Sequence, residues 1–409
     1  MPLDLVLRRA RLASSEPGLV DIGIGGGRVV AIGQNLAADA SEEDLEGRLV
    51  IPGLVETHIH LDKSCIQGRC RSDEGTLDEA IAEVAAAKRA FTEDDVYQRG
   101  RRTLEKAITQ GTTHLRTHVE VDPRVGMRCF DAIRRLKQDY RWAIDVEICV
   151  FPQEGLINDP GTEELLVAAC QKGADLIGGC PYTDTDPNGQ IARIFNIAGR
   201  FDLDIDFHLD FDLDPSWMHL HEVCRQTERR GWGGRVAVGH VTKLSAIDRD
   251  SVTAIARRLK DAGVAVAVLP STDLFLTGAG HEHSIPRGVA PAHCLIEHGV
   301  TCSLATNNVL NPFTPFGDCS LIRMANLYAN IARLRRAKDI AGCFDMVTRQ
   351  AARLMNVPDY GIAVGGPADL VVLDCGDAVS AVAELSQPLF GLKRRRRSFS
   401  RSAPILHRP

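Results

Sequence analysis

Eight short β-branched runs alternate with amphipathic stretches between residues 51 and 345, and this alternation constrains the fold more than any other feature. The runs cover residues 54–60, 114–119, 144–151, 174–179, 203–208, 235–240, 264–269 and 301–305. Helical spacing fills the intervals, for example over 77–90, 94–110, 163–172, 251–262 and 322–337. Short Val- and Ile-rich runs, each followed by a crossover, predict parallel strands with helices packed outside them. Eight such units specify an α/β fold, a (β/α)8 barrel. A doubly wound open sheet is the alternative; the strand number and the lack of a GxGxxG turn argue against it.

The flanks read differently. Residues 3–12, 20–24 and 28–32 are strand-like, with a hairpin turn at Gly25-Gly26-Gly27 rather than a phosphate loop, since no helix pattern follows the glycines. Strand text returns after Tyr360 in Gly-Ile-Ala-Val-Gly-Gly-Pro-Ala-Asp-Leu-Val-Val-Leu. Residues 1–50 and 360–409 are therefore expected to form one small β-sandwich domain beside a barrel of residues 51–359.

Composition excludes little. A net charge of −6 in 409 residues gives no reason to expect nucleic acid. The one strongly basic block, residues 393–397, is expected to be a solvated edge strand. No apolar run is long enough to cross a membrane. The twelve cysteines form no CxxC pair and the N-terminus has no apolar leader, so a reduced cytoplasmic protein is expected.

The chemistry is concentrated at strand ends, where a barrel carries its functional residues. In Pro52-Gly-Leu-Val-Glu-Thr-His58-Ile-His60-Leu-Asp62 two histidines stand two residues apart, and residues i and i+2 of a strand share a face. His208 ends the fifth strand and His240 the sixth. Neutral imidazole is a preferred ligand of zinc and iron(II), so His58, His60 and His208 are candidate ligands of one divalent metal ion. Three protein ligands with an open position hold a water and lower its pKa. His240 is then placed to take a proton or polarise a carbonyl. His281-Glu-His283 has ligand spacing too, but sits in a Gly-rich segment expected at the surface.

These motifs, with Arg116-Thr-His-Val119, Phe151-Pro-Gln-Glu-Gly155, Asp204-Ile-Asp-Phe-His208 and Asp359-Tyr-Gly-Ile-Ala-Val-Gly, resemble the amidohydrolase superfamily, and within it the cytosine deaminase group. Lys63 after His-Leu-Asp is closer to the N-isopropylammelide hydrolases of triazine degradation. The resemblance implies metal ligation by His58, His60 and His208, orientation and protonation of the reacting ring by His240, and reading of an amide edge by Gln153. It implies hydrolysis of a C–N bond in a pyrimidine- or triazine-like ring by a metal-bound hydroxide. His118, Phe151, Phe211 and Phe313 are further candidates for contact with a small heterocyclic substrate. Assembly into homo-oligomers is left open.

Two positions depart from the family. Where it carries a metal-ligating, proton-accepting aspartate after strand eight, this chain reads Thr306-Asn307-Asn308. An amide oxygen can ligate but cannot serve as a base at neutral pH, so Asn307 keeps the ligand position with its catalytic role in question. Phe211 replaces the proton-shuttling glutamate of the cytosine deaminases. Asp210, Asp212 and Glu154 are the carboxylates that could compensate, although each reads more simply as a loop acid or a structural partner. The alternative function is a catalytically impaired homologue that binds a heterocycle.

Overall fold

The structure, a computed structural model, describes residues 2–13, 18–37, 39–394, 396–402 and 404–407. Its first five strands are β1 (Leu5–Leu12), β2 (Val20–Gly25), β3 (Arg28–Gly33), β4 (Ser41–Asp44) and β5 (Leu49–Ile51). The barrel strands follow: β6 (Leu54–Ile59), β7 (Thr112–Glu120), β8 (Asp145–Phe151), β9 (Leu176–Ile177), β10 (Asp204–Leu209), β11 (Val236–His240), β12 (Val264–Val268) and β13 (Cys302–Leu304). The chain ends with β14 (Leu370–Leu373), β15 (Pro388–Lys393) and β16 (Arg396–Ser400).

β6 to β13 lie side by side in chain order, every neighbouring pair parallel. Val264-Ala-Val-Ala-Val268 is apolar throughout because a barrel strand is covered on both faces. The ring closes at the site itself. The Asn307 N–H donates to the His58 carbonyl at 2.8 Å and the His60 N–H to the Asn307 carbonyl at 2.9 Å.

The outer helices bury one stripe each. In Arg249–Ala262 the stripe is Val252, Ile255, Ala256, Leu259 and Ala262. Asp248 caps this helix by accepting the Ser251 N–H, and Gly263 stops it at φ 69°. The helix expected over 322–337 is shorter, Leu321–Ile331, because Arg333 turns at φ 55° before a second helix, Ala337–Asp345. The fourth strand is two residues, Leu176–Ile177, and Gly178 beyond it lies against the Asp206 carbonyl, where a Cβ would be 2.2 Å from the oxygen.

The second sheet runs β16-β15-β14-β5-β1-β2-β3, with β4 on β1, and is antiparallel except where β1 meets β4 and β5. It has its own core of Leu7, Ile22, Val29, Val50, Leu370 and Val372. The Gly25–Gly27 segment is the β2–β3 hairpin. In the basic run, Arg395 lies outside the described residues and Arg396 and Arg397 sit on an edge strand as expected. Lys393 is a correction. It is fully buried, with its ammonium 2.6 Å from Asp369 and 2.8 Å from Asp145. Among the described residues, no helix is long and apolar enough to cross a membrane.

Candidate active site

His58 is next to last in β6, His60 follows that strand, His208 lies in β10 and His240 ends β11. The His208 Nε2 is 3.1 Å from the Nε2 of His58 and 3.1 Å from that of His60. A hydrogen-bond reading of these contacts shares one proton between two partners; a cation facing three lone pairs satisfies all three nitrogens. Burial, reinforced by neighbouring positive charge, holds all three imidazoles well below their ordinary pKa, in the neutral form a metal requires. Asn307, after β13 at φ 64°, is held by its backbone, and its buried Oδ1 has no hydrogen-bond partner among the described residues. The donor set of imidazoles and an amide oxygen thus fits a divalent cation. Gly239 belongs to this packing: a Cβ there would stand 3.2 Å from the His58 ring.

His240, at φ 71°, points its Nδ1 at the Asp273 carboxylate, 2.6 Å away. Asp273 lies on the short helix Pro270–Leu276 and also accepts the Leu269 N–H. Burial raises the Asp273 pKa from its ordinary value, against the opposing pull of His240. Asp273 was not identified from the sequence. The available signal was an acid five residues beyond the end of the seventh strand, inside an ordinary helical turn.

His60, His208, His240 and Asn307 line a cavity of about 250 Å³ together with Lys63, Gln153, Tyr182, Phe211 and Phe313. Phe211 sets its ring edge-on to His240 with centroids 4.5 Å apart. A larger groove of about 1120 Å³ beside Trp217 and His221 contains none of the converging histidines.

Two expected substrate contacts fall outside the cavity wall. His118 is stacked on His58 at 3.7 Å, with its Nε2 3.6 Å from Asp206, so it supports the histidines from behind. Phe151 is stacked on His208 at 4.5 Å and orients that ring. The spare carboxylates are also engaged elsewhere. Asp210 accepts the His219 and Leu220 N–H groups at the start of helix Leu220–Arg230, Asp212 pairs with Lys243, and Glu154 pairs with Lys88. His281 and His283 are exposed.

The relatives of this chain make it a hydrolase acting on carbon–nitrogen bonds. The chain belongs to the amidohydrolase family, whose description matches residues 41–138 and 128–387. It is similar to N-isopropylammelide isopropyl amidohydrolase of Pseudomonas sp. (strain ADP), 27% identical over 403 residues that cover 96% of each chain. Pterin deaminase of Rhizobium rhizogenes is 29% identical over 82% of this chain and 77% of its own. The crystal structure of 5-methylcytosine deaminase from Klebsiella pneumoniae liganded with 5-fluorocytosine matches with a TM-score of 0.94, 28% identity and 99% coverage of both chains.

Proposed function

We propose that this protein is a metal-dependent aminohydrolase that replaces an amino or alkylamino group on a small nitrogen heterocycle, pyrimidine-, pterin- or triazine-like, with oxygen from water. The observation that carries the reading is the convergence of the His58 and His60 Nε2 atoms on the His208 Nε2, beside a cavity that His60, His208 and His240 line. The first three histidines, with Asn307 Oδ1, would hold zinc or iron(II). Such a cation supplies Lewis-acid activation of water and of the ring carbon's substituents.

The remaining chemistry belongs to the chain. Asp273 accepts the proton on His240 Nδ1, which leaves Nε2 as a lone pair directed at the cavity. As a C–O bond forms at the ring carbon, Nε2 takes the proton from water. It then returns the proton to the departing nitrogen as the C–N bond breaks. This route gives His240 the proton transfer that an amide at position 307 cannot perform. Phe211, Phe313 and Tyr182 exclude bulk water around a planar ring. The twelve free thiols fit a reducing, cytoplasmic setting.

Release of ammonia or alkylamine across aminopyrimidines, pterins and aminotriazines, with zinc, iron(II) or manganese supplied, tests the reading. Silence across that panel from metal-loaded protein would sink it. Asn307 and Phe211, neither able to accept a proton, favour one other reading, a ring-binding homologue with impaired turnover. Ring binding without any amine release would establish it.

A further inference from the structure

The first and last barrel strands, β6 and β13, part just before they reach the histidines, and we infer that the Glu56 carboxylate closes this seam and so fixes the separation of His58 from Asn307. Glu56 is thereby a positioning residue for the cation, although it does not line the cavity. The inference rests on the metal site of the aminohydrolase reading.

β6 and β13 are the two ends of the parallel sheet. Among the described residues a single bridge, Ile59 to Asn307, joins them. Nearer the start of each strand the backbones turn to a different partner. The Val55 N–H donates to the Val347 carbonyl at 3.1 Å and the Leu304 N–H to the Met346 carbonyl at 3.0 Å, both in the turn after the helix Ala337–Asp345. Between these two levels a side chain takes the place of a strand. Glu56 Oε1 accepts the His58 N–H at 3.2 Å and the Thr306 N–H at 3.1 Å, and Oε2 accepts the Thr306 N–H at 3.2 Å. Glu56 is fully buried, and a buried N–H without an acceptor costs more than a hydrogen bond contributes.

The two amides belong to the site. One is that of a candidate ligand, and the other immediately precedes Asn307. Asn307 stands at φ 64°, and its amide oxygen is a neutral ligand with no charge to draw it onto a cation. Its contribution therefore depends on where the backbone sets it. A carboxylate offers acceptors on both branches, so it can hold both strands at once. A carboxamide turns an NH₂ group towards one of the two amides, and an aspartate is one methylene short of the span.

Cobalt(II) affinity, measured by competition with a chelator and followed by visible absorption, tests this in the unaltered protein, Glu56→Gln, Asn307→Ala and the double variant. Glu56→Gln should weaken cobalt binding by about 10–100-fold, the scale of groups that orient metal ligands. In the Asn307→Ala background the same substitution should change it by no more than about twofold, because the ligand it places is gone. Glu56→Asp should lie between the unaltered protein and Glu56→Gln, and it carries the test if Glu56→Gln does not fold. Unchanged affinity in the Glu56 variants, or an equal loss in both backgrounds, overturns the inference. Either result in a protein that releases amine leaves the aminohydrolase reading standing. The expected coupling in a protein that releases no amine does the reverse, and an unaltered protein that binds no cobalt removes both.

Discussion

The His240 imidazole and the Asp273 carboxylate are joined at 2.6 Å between Nδ1 and Oδ1, both buried, with the opposite ring nitrogen free to face the cavity. This pair fixes the tautomer on which the proposed proton transfer depends. Asp273→Asn can satisfy Nδ1 with its amide N–H and so reverse the tautomer. It is expected to lower kcat by about 10², the usual contribution of a positioned acid–base group. The dissociation constant of a non-hydrolysed ring should change little. A kcat within about threefold of the unaltered protein, well short of that contribution, would remove His240 from the proton route.

Removal of the cation should affect stability as well as activity. His58, His60 and His208 crowd three lone pairs together when no cation is present, so zinc added at about 100 times its dissociation constant should raise stability by about 2.7 kcal/mol. A thermal melt with zinc and with a chelator measures this as a shift in Tm. The shift should disappear in His208→Ala, since His208 is the histidine whose Nε2 lies within 3.1 Å of both others. A Tm indifferent to zinc and chelator alike would argue that the cluster is not a metal site.

Much of this site was legible because its period is short. His58 and His60 announce a shared face two residues apart, and His208 and His240 stand at or beside the ends of two other apolar barrel strands. Positions fixed by contacts remote in sequence were not legible. Asp273 meets His240 across 33 residues, and Lys63 meets Gln153 across 90. His118 shows the converse error: a strand-end histidine that suits a substrate pocket, but whose strand register sets it under His58. Lys393 likewise reads as one member of a solvated basic run, because the Asp369 and Asp145 that bury it lie on other elements.

Asn307 is the residue where this chain departs from its family, and its Oδ1 is buried without a partner. Asn307→Asp would place a negative charge among neutral imidazoles, where it is stabilised only by the cation. Metal affinity should rise by about 10–100-fold, the scale on which neighbouring groups tune a metal site. Equilibrium competition with a chelator reads this directly. If Asn307 merely lacks the base function, amine release should rise as well. A fall in turnover with tighter metal binding would mean that the neutral amide has its own task in this cavity.

The acid limit of stability should be set partly far from the site, by His114 in β7. Burial, together with the Lys393 and Arg394 charges, lowers its pKa to about 4, against the weaker opposing pull of Asp145 and Asp369. The unfolded chain therefore binds this proton before the folded one does. Stability conferred by neutral His114 is complete above its ordinary pKa near 6.5 and is lost as pH falls from there towards 4. Linkage puts the loss at about 2 kcal/mol by pH 5. Urea unfolding at pH 7 and pH 5 measures it. His114→Asn cannot take up the proton, so the difference between the two pH values should shrink by about that amount. An unchanged difference would mean that the imidazole is not held neutral by its burial between β7 and the Lys393–Asp369 pair.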